Sequence, residues 1–179
     1  MTSASAAEQM VPNRFCDGLD NFIKALGHGV MWANGLLIIA IIAQVIARYG
    51  FGHGQVWLEE TQWHLYAIGI MLGASYAQVL DSHIRVDIVY ARLSYKWRLR
   101  WNLFGLIVLM LPFCVVIFEQ SLDFVWEAWR TSERSVAPMG LAYRWLIKSV
   151  IPISFGLLIL ASISQVVRIV ATLRSLGRA

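Results

Sequence analysis

Four long runs of mostly apolar residues alternate with short polar links along the chain, at about residues 26–47, 61–80, 101–122 and 146–170. A helix needs roughly 20 apolar residues to cross the ~30 Å hydrocarbon layer of a bilayer. Each run is long enough to do so. The pattern therefore predicts an all-α integral membrane protein with four transmembrane helices.

The second run is the most polar of the four, because it contains His64, Tyr66, Ser75 and Gln78. Polar side chains within a bilayer usually face protein, so we expect this helix to be turned toward its neighbours more than toward lipid. Proline removes a backbone donor from a helix. We expect local kinks at the two prolines inside apolar runs, Pro112 and Pro152.

The polar links are too short to hold a second domain. The sequence thus indicates one membrane domain at residues 25–172, between tails at residues 1–24 and 173–179. Residues 1–13 are small and polar and include Pro12, which is typical of a disordered tail. The first apolar run begins too late and continues too long for a cleavable signal peptide, and we interpret it as a retained first helix.

Lysine and arginine are shared unevenly between the two sides of the predicted membrane domain. One side holds the N-terminal tail, the second link and the C-terminal segment, with Arg14, Lys24, Arg85, Arg92, Lys96, Arg98, Arg100, Arg168, Arg174 and Arg178. The other side has only Arg48, Arg130, Arg134, Arg144 and Lys148. Basic residues concentrate on the cytoplasmic side of membrane proteins, so we predict that both termini are cytoplasmic.

Composition supports a membrane protein over a soluble or nucleic-acid-binding one. Hydrophobic residues make up 58% of the chain and charged residues 15%, whereas soluble domains have about 25% charged residues. The basic residues behind the net charge of +4 lie mainly in short links. Cys16 and Cys114 fall at different predicted depths, which argues against a disulfide framework or a metal site.

The first outer link has charged and aromatic residues near both of its ends: Arg48, Tyr49, Trp57, Glu59 and Glu60. Carboxylates at a helix start are favoured by the helix dipole, and Arg48 could pair with one of them. One interpretation is a solvated helix start with an interfacial tryptophan. The other is an ion-pair latch that fixes the first hairpin or a partner subunit.

Small residues recur every four positions along the second run, at Gly69, Gly73 and Ala77. Such a strip lets another helix backbone approach closely. Packing within the bundle and docking of another subunit both explain it, and spacing does not separate them.

The second link contains His83, Arg85 and Asp87, followed by apolar side chains among basic ones as far as Arg100. We predict an amphipathic cytoplasmic segment that lies on the anionic inner membrane surface, with Asp87 reducing the positive field. A contact surface for a moving partner is the alternative.

The predicted bilayer centre contains almost no ionisable group that could carry chemistry. Glu119, Asp123 and Lys148 approach only the outer ends of their helices, whereas a lone transporter usually has ionisable groups near mid-membrane. His28 lies toward the inner side and His64 toward the outer side, so they cannot readily bracket one haem. We expect no cofactor, metal site, catalytic residue or substrate-binding residue in this chain.

Five short motifs occur in a characteristic order: RYGF at 48–51, WLEE at 57–60, GA at 73–74, HIRVD at 83–87 and WLIKSVIP at 145–152. Together they resemble the small membrane subunit, the Q-type or DctQ-like subunit, of tripartite ATP-independent periplasmic (TRAP) transporters. The resemblance covers about residues 47–152. The glycine-rich segment 50–54 departs from the family, whose members often have an Asn or Pro-bearing turn there.

The resemblance implies a multi-pass subunit of a secondary transporter in the bacterial inner membrane, driven by an ion gradient, usually of sodium. A periplasmic binding protein would deliver a carboxylate-bearing solute to a large, M-type membrane subunit, which the small subunit scaffolds within the lipid bilayer. We expect structural or subunit-interface roles for the motif residues and for the small-residue strip: Arg48, Tyr49, Trp57, Glu59, Glu60, Gly69, Gly73, Ala77, His83, Arg85, Asp87, Lys148 and Pro152.

Two other functional classes are open from the residues alone. A four-helix membrane cytochrome would show haem absorption in the visible spectrum. A stand-alone small exporter would transport solute in liposomes that hold only this chain.

Overall fold

The computed structural model describes residues 14–80 and 93–178. They form helices α1 (Arg14–Gly50), α2 (Val56–Val79), α3 (Tyr95–Arg130) and α4 (Arg144–Arg178). Helix accounts for 86% of the described residues and none of them lies in a strand, which confirms the predicted all-α class. The helices run beyond the predicted spans at both ends of the bundle, and residues 14–24, expected in the tail, are helical.

Three helices in the described part of the chain, α1, α3 and α4, are long and apolar enough to cross a membrane. Helix α2 has 24 residues and is about 36 Å long at 1.5 Å per residue, but it contains no stretch that meets the same criterion of length and apolar character. Its Ser75 and Gln78 are buried, as the sequence predicted for a helix turned toward protein. Tyr66 of the same helix is half exposed.

Helix α4 is the centre of the bundle, because it packs against α1, α2 and α3. Helices α1 and α2 form a hairpin, and α3 packs mainly on α4. The apolar core is thin: one cluster joins Ile23 to Leu157 and Ala161, and another joins Leu99 and Leu106 to Ile169. Wide apolar faces of α1 and α3 therefore point away from the bundle, toward lipid or a partner.

Helix α3 changes its winding just before its proline. Residues Gly105–Met110 form a π-helical segment in which the N–H of Leu111 donates to the carbonyl of Leu106. Pro112 follows, and its ring would crowd a carbonyl in the preceding turn. Local π-helical adjustment is one way that membrane helices accommodate proline, which explains a π-helical segment beside Pro112. The kink predicted at Pro112 stays a prediction. Helix α4 continues through Pro152.

Different polar contacts join the helices at the two ends of the bundle. At one end, Arg168 of α4 binds Asp17 and Asp20 of α1, and Gln78 of α2 donates to Gln165 of α4 at 2.7 Å. We call this the terminal end, because it holds the start of α1 and the later part of α4. The opposite end, which holds links 51–55 and 131–143, is the loop end.

Candidate interaction surface at the loop end

The link between α3 and α4 begins with a defined helix cap. The N–H of Glu133 donates to the carbonyl of Ala128 at 3.0 Å, and that of Ser132 to Trp129 at 3.1 Å. Ser132 has a φ of 49°, so the pattern is that of a Schellman motif, which satisfies the last carbonyls of a helix. The chain is thereby turned back toward α4 at a fixed angle.

The tip of this link is a tight turn with a strained residue. The N–H of Gly140 donates to the carbonyl of Ala137 at 3.0 Å, and Met139 has a φ of 64°. Pro138 in the second position and a positive φ in the third are the features of a type II turn, which normally has glycine in the third position. Met139 is 86% exposed, so the strained residue is displayed at the loop end.

Glu60, in the first turns of α2, holds this link in place. Its carboxylate accepts a hydrogen bond from the Ser135 hydroxyl and another, at 2.5 Å, from the N–H of Leu141. A side chain at Gly140 would collide with the pair, since its Cβ would lie 2.4 Å from the Ser135 Cβ and 2.8 Å from a Glu60 oxygen. The hydrogen bonds from Ser135 and then Leu141 lower the pKa of Glu60.

A second carboxylate, Glu133, ties the link to the start of α4. The ammonium of Lys148 donates to Glu133, and the Arg144 guanidinium lies 3.8 Å from the other carboxylate oxygen. The Lys148 side chain is only 12% exposed and its ammonium lies 3.7 Å from the centre of the Phe124 ring. The hydrogen bond from Lys148 lowers the pKa of Glu133, so this buried lysine is held by a carboxylate and an aromatic face.

The predicted ion pair of the first hairpin forms with Glu59, at 3.6 Å from Arg48. Both side chains are about half exposed, at 56% and 51%, so the pair contributes about 0–1 kcal/mol. Nearby, the Gln44 side chain accepts the N–H of Gln55 at 3.3 Å. The two adjacent glutamates of WLEE thus differ in role: Glu59 makes an exposed pair within the hairpin, and Glu60 joins the hairpin to the α3–α4 link.

The other motif residues at the loop end are exposed or line a groove. Tyr49 is 81% exposed and Trp57 is 47% exposed. Pro152 lies in an apolar groove of about 460 Å³ between α3 and α4, beside Trp126 and Trp145. Trp129 and Trp145 pack edge to face, with ring centroids 4.6 Å apart. Tryptophans cluster at this level of the bundle, as they do at membrane–water boundaries.

The small-residue strip of α2 is divided between an inward and an outward position. A Cβ on Gly69 would lie 2.6 Å from the Asn34 side chain of α1, whereas one on Gly73 would meet no atom within 4 Å. Ala77 is partly buried. A close contact between α1 and α2 that the strip did not predict lies at Gly27, where an added Cβ would lie 2.3 Å from the Tyr76 ring.

The ion cluster at the terminal end was not predicted from the sequence. One guanidinium nitrogen of Arg168 lies 2.8 Å from Asp17 and 2.5 Å from Asp20, and the Ser164 hydroxyl donates to Asp20 at 2.9 Å. Arg168 and Asp20 are 17% and 15% exposed. Two features of the sequence could have indicated this cluster. Arg168 is a charged residue inside an apolar run, and Asp17 and Asp20 lie three positions apart on one helix.

The remaining predicted positions, His83, Arg85 and Asp87, lie outside the described residues, and the amphipathic segment that contains them stays a prediction. Within residues 14–80 and 93–178, no group of three His, Cys, Asp or Glu side chains is placed to hold a metal ion. His28 is engaged within the bundle, since its Nδ1 lies 2.7 Å from the Lys24 carbonyl and its ring packs edge to face on Tyr76.

Comparison with known proteins gives one clear result. The sequence model of the DctQ component of tripartite ATP-independent periplasmic transporters matches residues 37–172. The matched segment begins in α1 and extends into the last turns of α4, so it includes the loop end and most of the bundle. No curated protein matches the chain.

Proposed function

The chain belongs to the DctQ family of TRAP transporters, whose members work with a large membrane subunit and a periplasmic binding protein, and from this premise we propose that it scaffolds the large subunit. The family is a transporter component and not an enzyme family, which leaves the cytochrome alternative without support. The solute we propose is a carboxylate-bearing molecule, taken up at the expense of an ion gradient.

The observation that carries the scaffold role is the position of charge on α4. This central helix packs against the other three, yet it has no ionisable side chain between Lys148 and Arg168. Both of those cations are engaged within the chain, by Glu133 and by the two aspartates of α1. A helix that is tied at both ends and charge-free between them suits a rigid support better than a site that binds ions or solute.

We also propose that all four helices cross the inner membrane, with the terminal end in the cytoplasm and the loop end in the periplasm. The excess of Lys and Arg toward the terminal end supports this orientation. Cysteine labelling of intact cells tests it, because a cysteine at Gly54 should react with an impermeant reagent and one at Ser175 should not. Labelling at Ser175 alone would reverse the orientation.

Reconstitution of uptake in liposomes tests the scaffold function. The large subunit and the binding protein should take up solute only when this chain is present. Full uptake without it would refute the requirement. Uptake by this chain alone would instead support the stand-alone exporter.

A further inference from the structure

One face of α3 is turned away from the bundle and carries acidic side chains. The buried residues Cys114, Ser121 and Ala128 recur every seven positions and face α4. Glu119 and Asp123, four residues apart, lie on the opposite side of the helix and are exposed. Two large apolar side chains, Val116 and Trp126, are exposed beside the two carboxylates.

The depth of Glu119 makes this face unusual. We place the membrane boundary of the loop end at the level of Trp126 and Trp129 of α3 and Trp145 of α4, because tryptophan is enriched at membrane–water interfaces. Glu119 precedes Trp126 by seven residues, so it lies about 10 Å along the helix axis toward the bilayer interior. A carboxylate at that depth is costly unless a polar group meets it.

Among the acidic residues that the structure describes, these two carboxylates differ from the rest in their lack of a polar partner. The other six each have an ion pair or hydrogen bond within the chain: Asp17, Asp20, Glu59, Glu60, Glu127 and Glu133. In the described part of the chain, Glu119 and Asp123 have neither. The clearest contrast is Glu127, one turn beyond Asp123 on the same face, which pairs with Arg130 at 3.0 Å.

A second copy of this chain does not offer a cation at this depth. The cations nearest the level of the two carboxylates are engaged, Arg130 by Glu127, and both Arg144 and Lys148 by Glu133. Arg134 is exposed, but it lies in the α3–α4 link beyond the end of α3. We therefore take the complementary cation to come from another membrane protein. Beside Asp123, the apolar groove of about 460 Å³ between α3 and α4 offers space for the neighbouring side chains of such a helix.

We propose that the Glu119 and Asp123 face of α3 docks a helix of the large membrane subunit that presents an arginine or lysine at this depth. The inference rests on the proposed function, because it takes the large subunit as the partner. Pairing with a cation removes the cost of two carboxylates in hydrocarbon and fixes the depth at which the two subunits meet.

Co-purification of the large subunit with this chain tests the proposal. With the double variant Glu119→Gln/Asp123→Asn, the amount of co-purified large subunit should fall by about tenfold or more. This is the effect expected from the loss of one charge-assisted hydrogen bond. Glu127→Gln is the matched control and should co-purify like the wild type, since Glu127 has its partner in Arg130. The thermal unfolding of the isolated chain should be unchanged in the double variant, because neither side chain has a hydrogen bond or ion pair among the described residues.

The two hypotheses fail in different ways. If the wild-type chain retains the large subunit and the double variant retains as much, the α3 face is not the docking surface, while the scaffold function stands. If the wild-type chain does not retain the large subunit at all, the scaffold function itself fails.

A charge exchange tests the nature of the partner group. Glu119→Lys should abolish co-purification, and replacement of one membrane-embedded Arg or Lys of the large subunit by Glu should restore it. If every such basic position of the large subunit is exchanged and none restores binding, the proposed cation is wrong.

Discussion

The carboxylate of Glu60 accepts the backbone N–H of Leu141 at 2.5 Å, across 81 positions of sequence. This contact joins the start of α2 to the link between α3 and α4. Together with the pair formed by Glu133 and Lys148, it fixes a link whose turns include three non-glycine residues with positive φ. The loop end is therefore held by two carboxylates that face different parts of the same link.

Replacement of Glu60 should cost more stability than replacement of its neighbour. Glu60→Ala leaves the Ser135 hydroxyl and the Leu141 N–H without their acceptor and should lower the free energy of unfolding by about 1–2 kcal/mol. Glu59→Ala removes only an exposed pair and should cost about 0–1 kcal/mol. Unfolding of the purified chain in detergent measures both. Equal losses would contradict the distinct role of Glu60.

The α3–α4 link at the loop end should become less stable at acidic pH. The pKa of Glu60 is below its ordinary value of 4.5 in the folded chain, so its contribution is complete above 4.5 and is lost as pH falls through the lowered folded pKa. The same sign holds for Glu133. Hydrogen exchange at residues 133–141, compared at neutral pH and well below 4.5, should show the change. The double variant Glu60→Gln/Glu133→Gln is the control and should lose this pH dependence.

Substitutions at two glycines should distinguish residues that pack within the chain from residues that pack against a partner. Gly27→Leu places a side chain against the Tyr76 ring and should destabilise the isolated chain. Gly73→Leu meets no atom within 4 Å of the added Cβ and should leave its thermal unfolding nearly unchanged, yet weaken co-purification of the large subunit. Normal co-purification of the Gly73 variant would show that the outward part of the strip is not an interface.

The ion cluster at the terminal end should be a principal tie between α1 and α4. Arg168→Leu leaves Asp17 and Asp20 without their cation and should cost about 3 kcal/mol, because Asp20 is largely buried and loses its charge partner. Arg174→Leu is a matched control, since Arg174 is exposed on the same helix. Detergent unfolding compares the two variants. A loss no larger than that of the control would argue against this tie.

The helices could be predicted from the sequence because each run is long and mostly apolar, including the second run with its polar residues. Apart from the exposed pair of Arg48 and Glu59, the polar contacts could not. Glu59 and Glu60 are adjacent in sequence, but successive helix positions point about 100° apart, and the Glu60 partners lie in a link 75 and 81 positions away. Periodicity within one helix carries no information about a partner that far along the chain.

The terminal end shows the same limit. Arg168 was counted as one of many cytoplasmic charges, although it is largely buried against Asp20, 148 positions earlier. Only part of the small-residue strip of α2 meets a neighbouring helix, since Gly69 faces Asn34 while Gly73 faces outward. Which small residues meet a neighbour depends on helix rotation, and one sequence does not determine that rotation.

The central place of α4 has a consequence for how the chain is made. The ribosome synthesises α4 after the other three helices, yet it supplies the cation for Asp17 and Asp20 and the amide partner for Gln78. Until α4 has been inserted, the nascent α1–α2 hairpin and α3 have little to hold them together. A chain that lacks α4 would therefore leave Asp17, Asp20 and Gln78 without these partners.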